Sequence, residues 1–227
     1  MHDRGYRELL RRTCVALAVG GAIVAACYFW VDRPVAFFVA EHDTDHFAVF
    51  RWLTYPPPLL QSCSPIVLAV LLVYRAWRPL ARWQQVLLVA CISVLAAHQF
   101  RISVGYACGR YWPETWFDHN PSLIGTGTYG FAPFSSSENV GSFPSGHAAR
   151  IFAFAGVWWM ALPRLRALWV IAGAPMLASL VLMNYHFVGD VVAGSVLGGI
   201  IAAYAVQLAD LWPPGVGANG PPEARSA

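Results

Sequence analysis

Residues 83–107 read WQQVLLVACISVLAAHQFRISVGYA. This stretch carries no acid and one Arg, Arg101. A bilayer core about 30 Å thick is crossed by roughly 20 predominantly apolar helical residues, so the stretch predicts a membrane span. Working outward, five more apolar runs follow the same logic: Thr13–Trp30, Leu59–Trp77, Ala148–Leu162, Ala167–Met183 and Val191–Ala209. Ala148–Leu162 and Ala167–Met183 are short, and they need flanking residues or a thin bilayer to span. The fold class expected is all-α: a polytopic membrane protein with six transmembrane helices in a bundle.

Composition agrees. The chain of 227 residues is 57% hydrophobic and 12% charged, against about 25% charged in an average soluble domain. This excludes a disordered chain and argues against an ordinary cytosolic enzyme. All fifteen basic residues are Arg, and the net charge of +3 is too small to argue for a nucleic-acid partner. The five Cys lack metal-knuckle or redox-pair spacing, and the four in or beside apolar runs read as small core residues.

Arg placement orients the spans. Arg4, Arg7, Arg11, Arg12, Arg75, Arg78, Arg82, Arg164, Arg166 and Arg225 fall on one side of a six-span topology, and Arg33, Arg51 and Arg110 on the other. Both termini are therefore expected in the cytoplasm. The division expected is a cytoplasmic N-terminus at 1–12, a membrane domain at 13–209 and a disordered cytoplasmic tail at 210–227. The first run, ending in Val24-Ala25-Ala26-Cys27, also resembles a processed signal, but its removal would spoil the charge alternation. Arg33–Leu53 mixes apolar and charged residues and is expected along the membrane surface. Cys108–Pro144 is a long, aromatic-containing loop and is expected to be ordered.

Polar residues inside such a protein mark function by default, and here they gather at the outer face. Gly141-Ser142-Phe143-Pro144-Ser145-Gly146-His147 opens a helix. Ser145 can cap it, its free N–H groups can receive an anion such as phosphate, and Gly146 allows close approach. Alone, the stretch is equally an ordinary capped helix start. His186 and Asp190 are four apart, so a carboxylate can fix the imidazole tautomer and leave the other nitrogen to attack an electrophile. Arg110 can bind phosphate oxygens bidentately or serve as an interfacial Arg. Arg101 and His98, one turn apart, read as ligands or as a buried pair. His42 and His46 have a spacing that can bind zinc, but Glu41–His46 reads better as a solvated surface turn.

Together these pieces resemble the type-2 phosphatidic acid phosphatase family of integral membrane phosphatases, related to vanadium haloperoxidases. The family pattern is a Lys, six residues and Arg-Pro; then Pro-Ser-Gly-His; then Ser-Arg, five residues, His, three residues and Asp. Pro144-Ser145-Gly146-His147 matches the second part in full, and Ser179, His186 and Asp190 match the third. Leu180 replaces the Arg after Ser179, and the chain has no Lys at all. With Gly109-Arg110 aligned to the Gly-Arg often seen in the first part, the Lys position is Gly105 and the motif Arg is Trp112. With Arg110 as the motif Arg, the Lys position is Ser103. Arg101 and Arg150 are candidate replacements for the missing cations.

The resemblance implies a membrane phosphatase acting on a lipid phosphate or pyrophosphate through a phosphohistidine, without metal or other cofactor. His186 would be the nucleophile, Asp190 its partner and His147 the acid and then the base. Arg110, Ser145, Gly146, Arg101 and Arg150 would bind the phosphate. The active site would face outward, toward headgroups of the lipid bilayer. Polyprenyl pyrophosphate, phosphatidate, phosphatidylglycerol phosphate and a phosphorylated glycolipid are the implied substrates. A lipid phosphotransferase using the same intermediate and a non-catalytic lipid-binding or transport protein are the alternatives.

Overall fold

The structure, a computed structural model, describes residues 2–116, 119–135 and 140–212. Among them every regular element is helical. In chain order these are α1 (His2–Ala26), a π-helical turn (Cys27–Val31), α2 (Asp32–Glu41), α3 (Ala48–Leu53), α4 (Pro56–Trp77), α5 (Arg82–Cys108), α6 (Leu123–Thr126), α7 (Gly146–Ala161), α8 (Arg166–Leu182) and α9 (Val188–Leu208). The tail expected to be disordered lies outside the described residues from position 213 on.

Among the described residues, five helical segments are long and apolar enough to cross a membrane: Gly5–Glu41, Ala48–Trp77, Arg82–Cys108, Pro163–Leu182 and Val188–Leu208. The sixth expected span, Ala148–Leu162, forms α7. Its sixteen residues reach about 24 Å at 1.5 Å per residue, short of the hydrocarbon core. The membrane-embedded all-helical bundle is therefore present, but the count of six rests on a helix that sits mostly inside the protein. The first span also departs from expectation. It runs past Trp30 through the π turn into α2, so Arg33–Leu53 is not one surface segment. Pro34 has no N–H to offer the Trp30 carbonyl, and the π turn lies where the helix must absorb that loss.

α7 is the axis of the bundle, packed chiefly against α9 and α5. Its buried face is small: Ala148, Ala149, Ala153 and Val157 are all fully covered. α9 answers with Gly194 and Gly198. A Cβ on Gly194 would lie 2.3 Å from the Ser145 carbonyl oxygen, and one on Gly198 would lie 2.3 Å from that of Ala149. Such small-residue contacts let helix backbones meet closely where lipid removes the hydrophobic drive for association. The outer helices instead expose Ile66, Val70, Val73, Val170 and Ile171. Apolar surface on this scale on several helices suits hydrocarbon rather than water.

Candidate active site

The close α7–α9 contact brings two distant sequence segments to one place. Ser145 caps α7, its Oγ accepting from the Ala148 N–H at 3.3 Å. Its own N–H donates to the Asp190 carbonyl at 3.0 Å. The Pro-Ser-Gly-His turn is thus tied by its backbone to the first turn of α9. His186 stands on the turn between α8 and α9, where its N–H and that of Tyr185 both donate to the Leu180 carbonyl. The His147 and His186 rings meet edge-on with centroids 5.7 Å apart.

Arg101 and Arg150 converge on Gly146. A Cβ there would lie 3.4 Å from Arg101 Nε and 3.5 Å from Arg150 Nη2. Arg101 reaches this point from α5 and clamps the loop, with Nε donating to the Pro144 carbonyl at 3.2 Å and Nη2 donating to that of Gly141. Arg150 Nη2 donates to His98 Nδ1 at 3.1 Å. His98 therefore pairs with Arg150 rather than with Arg101. Gly105 is buried, with its Cβ direction 3.4 Å from the Phe143 carbonyl, whereas Ser103 is exposed. The Gly105 position, not the Ser103 position, thus looks toward this loop, and Arg101 lies one turn before it on the same face.

Arg110 has a different environment. It is 0% exposed. Its Nη1 donates to Asp190 Oδ1 at 2.6 Å and its Nη2 to Asp32 Oδ2 at 2.7 Å. Nη2 also lies 3.1 Å from the Tyr129 hydroxyl. The rings of Phe187, Tyr28, Phe131 and Tyr129 surround the guanidinium at 4.4–5.6 Å from their centroids. Both Nη groups are committed to carboxylates, so Arg110 does not join Arg101 and Arg150 at Gly146. Burial works against its charge, but Asp190 and Asp32 outweigh that and hold it protonated. Its carbonyl accepts from Gly141 and Ser142, which fixes the loop leading to α7. Gly109 just before it closes α5 at φ +62, where a Cβ would lie 1.9 Å from the Ala132 oxygen.

Sequence reasoning missed Ser142. Its Oγ donates to Asp190 Oδ2 at 2.5 Å and stands 3.5 Å from His186 Nδ1. The direct His186–Asp190 separation is 3.9 Å, too long for a hydrogen bond. Asp190 therefore addresses the imidazole through Ser142, because its oxygens are also held by Arg110 and by the Phe187 N–H at 3.0 Å. With Nδ1 on the Ser142 side, Nε2 is the nitrogen left for chemistry. Burial pushes the His186 imidazole down to about 3, and Arg101, Arg150 and Arg110 add to that. A neutral ring with an available lone pair is the form a nucleophile needs. Trp112, at the motif-Arg position, places its ring 5.5 Å from His186. Leu180, at the other lost Arg, is fully buried beside Ala148, Met176 and Val191. Ser179 serves its own helix, donating to the Pro175 carbonyl at 2.7 Å. Asp43, Asp45 and His46 bring ligand atoms within 4.8 Å of one another on the surface, a grouping common without any ion.

Residues 101–212 match the PAP2 superfamily. Two curated relatives are lipid A 1-phosphatases. That of Rhizobium etli is 31% identical over 93 residues, 41% of this chain and 37% of that protein. That of Rhizobium johnstonii is 32% identical over 92 residues, 40% of this chain and 35% of that protein. The chain spans little more than a third of the length of these relatives. No solved structure matches it.

Proposed function

The chain belongs to the PAP2 superfamily, and from that premise we propose that it is a membrane lipid phosphatase working through a phosphohistidine on His186. The observation that carries the reading is the convergence on Gly146. Two guanidinium groups meet a helix N-terminus at Gly146, and the next residue, His147, packs edge-on against His186. That combination suits a phosphate monoester: positive groups for its equatorial oxygens, a neutral nucleophile for phosphorus and an acid for the leaving oxygen.

In the first step His186 Nε2 attacks phosphorus, the N–P bond forms, and the P–O bond to the lipid breaks as His147 gives its proton to that oxygen. The His186 ring becomes an imidazolium, and Asp190 stabilises it through Ser142. In the second step His147 takes a proton from water, the water oxygen attacks phosphorus, and the N–P bond breaks to release inorganic phosphate. Arg101, Arg150 and the N–H groups of Gly146 and His147 in the first turn of α7 hold the oxygens throughout. Arg101 and Arg150 thereby stand in for the absent motif Lys and Arg. Arg asymmetry between the loops supports cytoplasmic termini and a site facing outward. The named activity of the two relatives makes phosphorylated lipid A the first substrate to test.

The protein purified in detergent is offered lipid A, phosphatidate and polyprenyl pyrophosphate with a chelator present. Phosphate release from at least one, abolished in His186→Ala, is expected. No release from any of them overturns the phosphatase, and release that survives His186→Ala overturns the phosphohistidine.

A further inference from the structure

Asp32 has no place in the chemistry above, yet it is 1% exposed where the first span passes from its π turn into α2. Its two oxygens are both engaged. Oδ2 accepts from Arg110 Nη2 at 2.7 Å and Oδ1 from the Gly189 N–H at 2.9 Å. Gly189 precedes Asp190 in the first turn of α9, and Arg110 holds Asp190 itself at 2.6 Å. One guanidinium thus lies between two carboxylates that come from helices 158 positions apart. It is enclosed by four aromatic rings.

The charge count has a consequence. A lone Asp190–Arg110 pair would be neutral, and Asp190 would have little field left for its Ser142–His186 side. Asp32 draws on the same guanidinium, so with both carboxylates ionised the cluster would carry one excess negative charge. Low-dielectric surroundings make that charge count for more than it would in water. The excess negative charge sits one hydroxyl away from the ring that becomes cationic when phosphorylated. Asp32 also fixes the α9 start by its bond to Gly189, and so it sets where Asp190 stands.

We propose that Asp32 is a positioning residue for the phosphoryl-transfer site, acting through Arg110 to hold Asp190 in place and negatively charged toward His186. The proposal rests on the phosphatase reading given above. It makes Arg110 part of this support rather than a phosphate ligand.

The test is kinetic, with phosphatidate and phosphorylated lipid A as probes and the full chain in detergent. In D32N, which removes the charge at nearly constant volume, kcat is expected to fall about 10–100-fold, the range for an outer partner of a reacting ligand, with KM changed less than about threefold. In the D32N/D190N double variant the further loss beyond D190N is expected to be under about threefold, because both act through one path. Charge-retaining D32E should recover part of the kcat lost in D32N. A D32N enzyme with wild-type kcat, or losses that multiply in full in the double variant, overturns the proposal while the phosphatase reading stands. A wild type inactive on both probes fails that reading first and takes this one with it. Should D32N not fold, R110K carries the same question: it keeps one charge but cannot bridge both carboxylates. A fall in kcat at unchanged KM is expected, and a tenfold rise in KM at unchanged kcat overturns the proposal by making Arg110 a phosphate ligand.

Discussion

Two groups of guanidinium converge near the start of α7, and they meet opposite surroundings. Arg110 is sealed between Asp32 and Asp190 inside an aromatic cage. Arg101 and Arg150 flank Gly146 and are held by neutral partners, the carbonyls of Gly141 and Pro144 and the ring of His98. A cation already neutralised by carboxylates has little to offer a phosphate. One held by carbonyls and an imidazole keeps its charge for an incoming anion. Residue type is the same in both groups, and only the partner chemistry separates support from ligand.

The largest effect expected comes from removing the sealed cation. Arg110→Ala leaves two buried carboxylates facing each other without a counter-charge, and breaking a buried pair in this way costs about 3–5 kcal/mol. Thermal unfolding in detergent should register it as a marked fall in Tm. Unchanged stability would mean that the cage does not hold its charge as described. Next comes Arg101→Ala, which should keep Tm near the wild type and lose about 2–4 kcal/mol of transition-state stabilisation, seen in kcat/KM. Arg150→Ala should behave alike. A loss under about tenfold at either would return that residue to a structural role and blur the contrast with Arg110.

A smaller effect tests how the two groups are kept apart. Gly194→Ala inserts a Cβ 2.3 Å from the Ser145 carbonyl. α9 must then move from α7, at an overpacking cost of about 1–3 kcal/mol. Because Ser145 is tied to Asp190 at that same contact, activity should fall more than stability does. Gly199→Ala, on the same helix and with open space at its Cβ, is the matched control and should change neither.

How much of this was legible beforehand follows from which interactions are local. The apolar runs carried the all-helical membrane class, since length and composition suffice for that. Pro144-Ser145-Gly146-His147 and the four-residue step from His186 to Asp190 pointed to the candidate site, because a helix start and an i,i+4 pair are short-range patterns. Arg110 was placed with the phosphate ligands because its partners are 78 and 80 positions away and leave no local mark. Asp32 stands next to Arg33 and bears no local sign of its pairing with Arg110, and the π turn that precedes it has no sequence signature beyond Pro34. Ser142 stood inside the quoted motif, yet only the folded loop shows it between Asp190 and His186. The count of six was the least legible part, because an apolar run buried in protein looks like one buried in lipid.

The subtlest separation of the two groups is in pH. As the proposed nucleophile, His186 must be neutral to attack, and its proton affinity in the folded protein is pushed down to about 3 from an ordinary value of 6.5, by burial first and then by Arg101, Arg150 and Arg110. A depressed value keeps the nucleophile competent as pH falls below 6.5, so the acidic limb assigned to His186 should lie well under the usual imidazole range. The same shift bears on stability. Unfolded chains take up this proton near 6.5 and the folded protein resists it, so the contribution is intact above 6.5 and is lost progressively toward 3. Removing a positive neighbour raises the folded value. Arg101→Ala and Arg150→Ala should each move the acidic limb upward and lessen the loss of stability on acidification. Arg101 precedes Arg150, and Arg150 precedes Arg110, in their influence on the ring. Arg110 enters last, and the two carboxylates around it further offset its field at His186. A profile of kcat/KM against pH for Arg101→Ala and R110K, the second retaining its charge, therefore ranks the two groups by an observable apart from rate. An upward shift in the first and little in the second is expected. Equal shifts would show that the carboxylate cage does not screen Arg110 from the nucleophile.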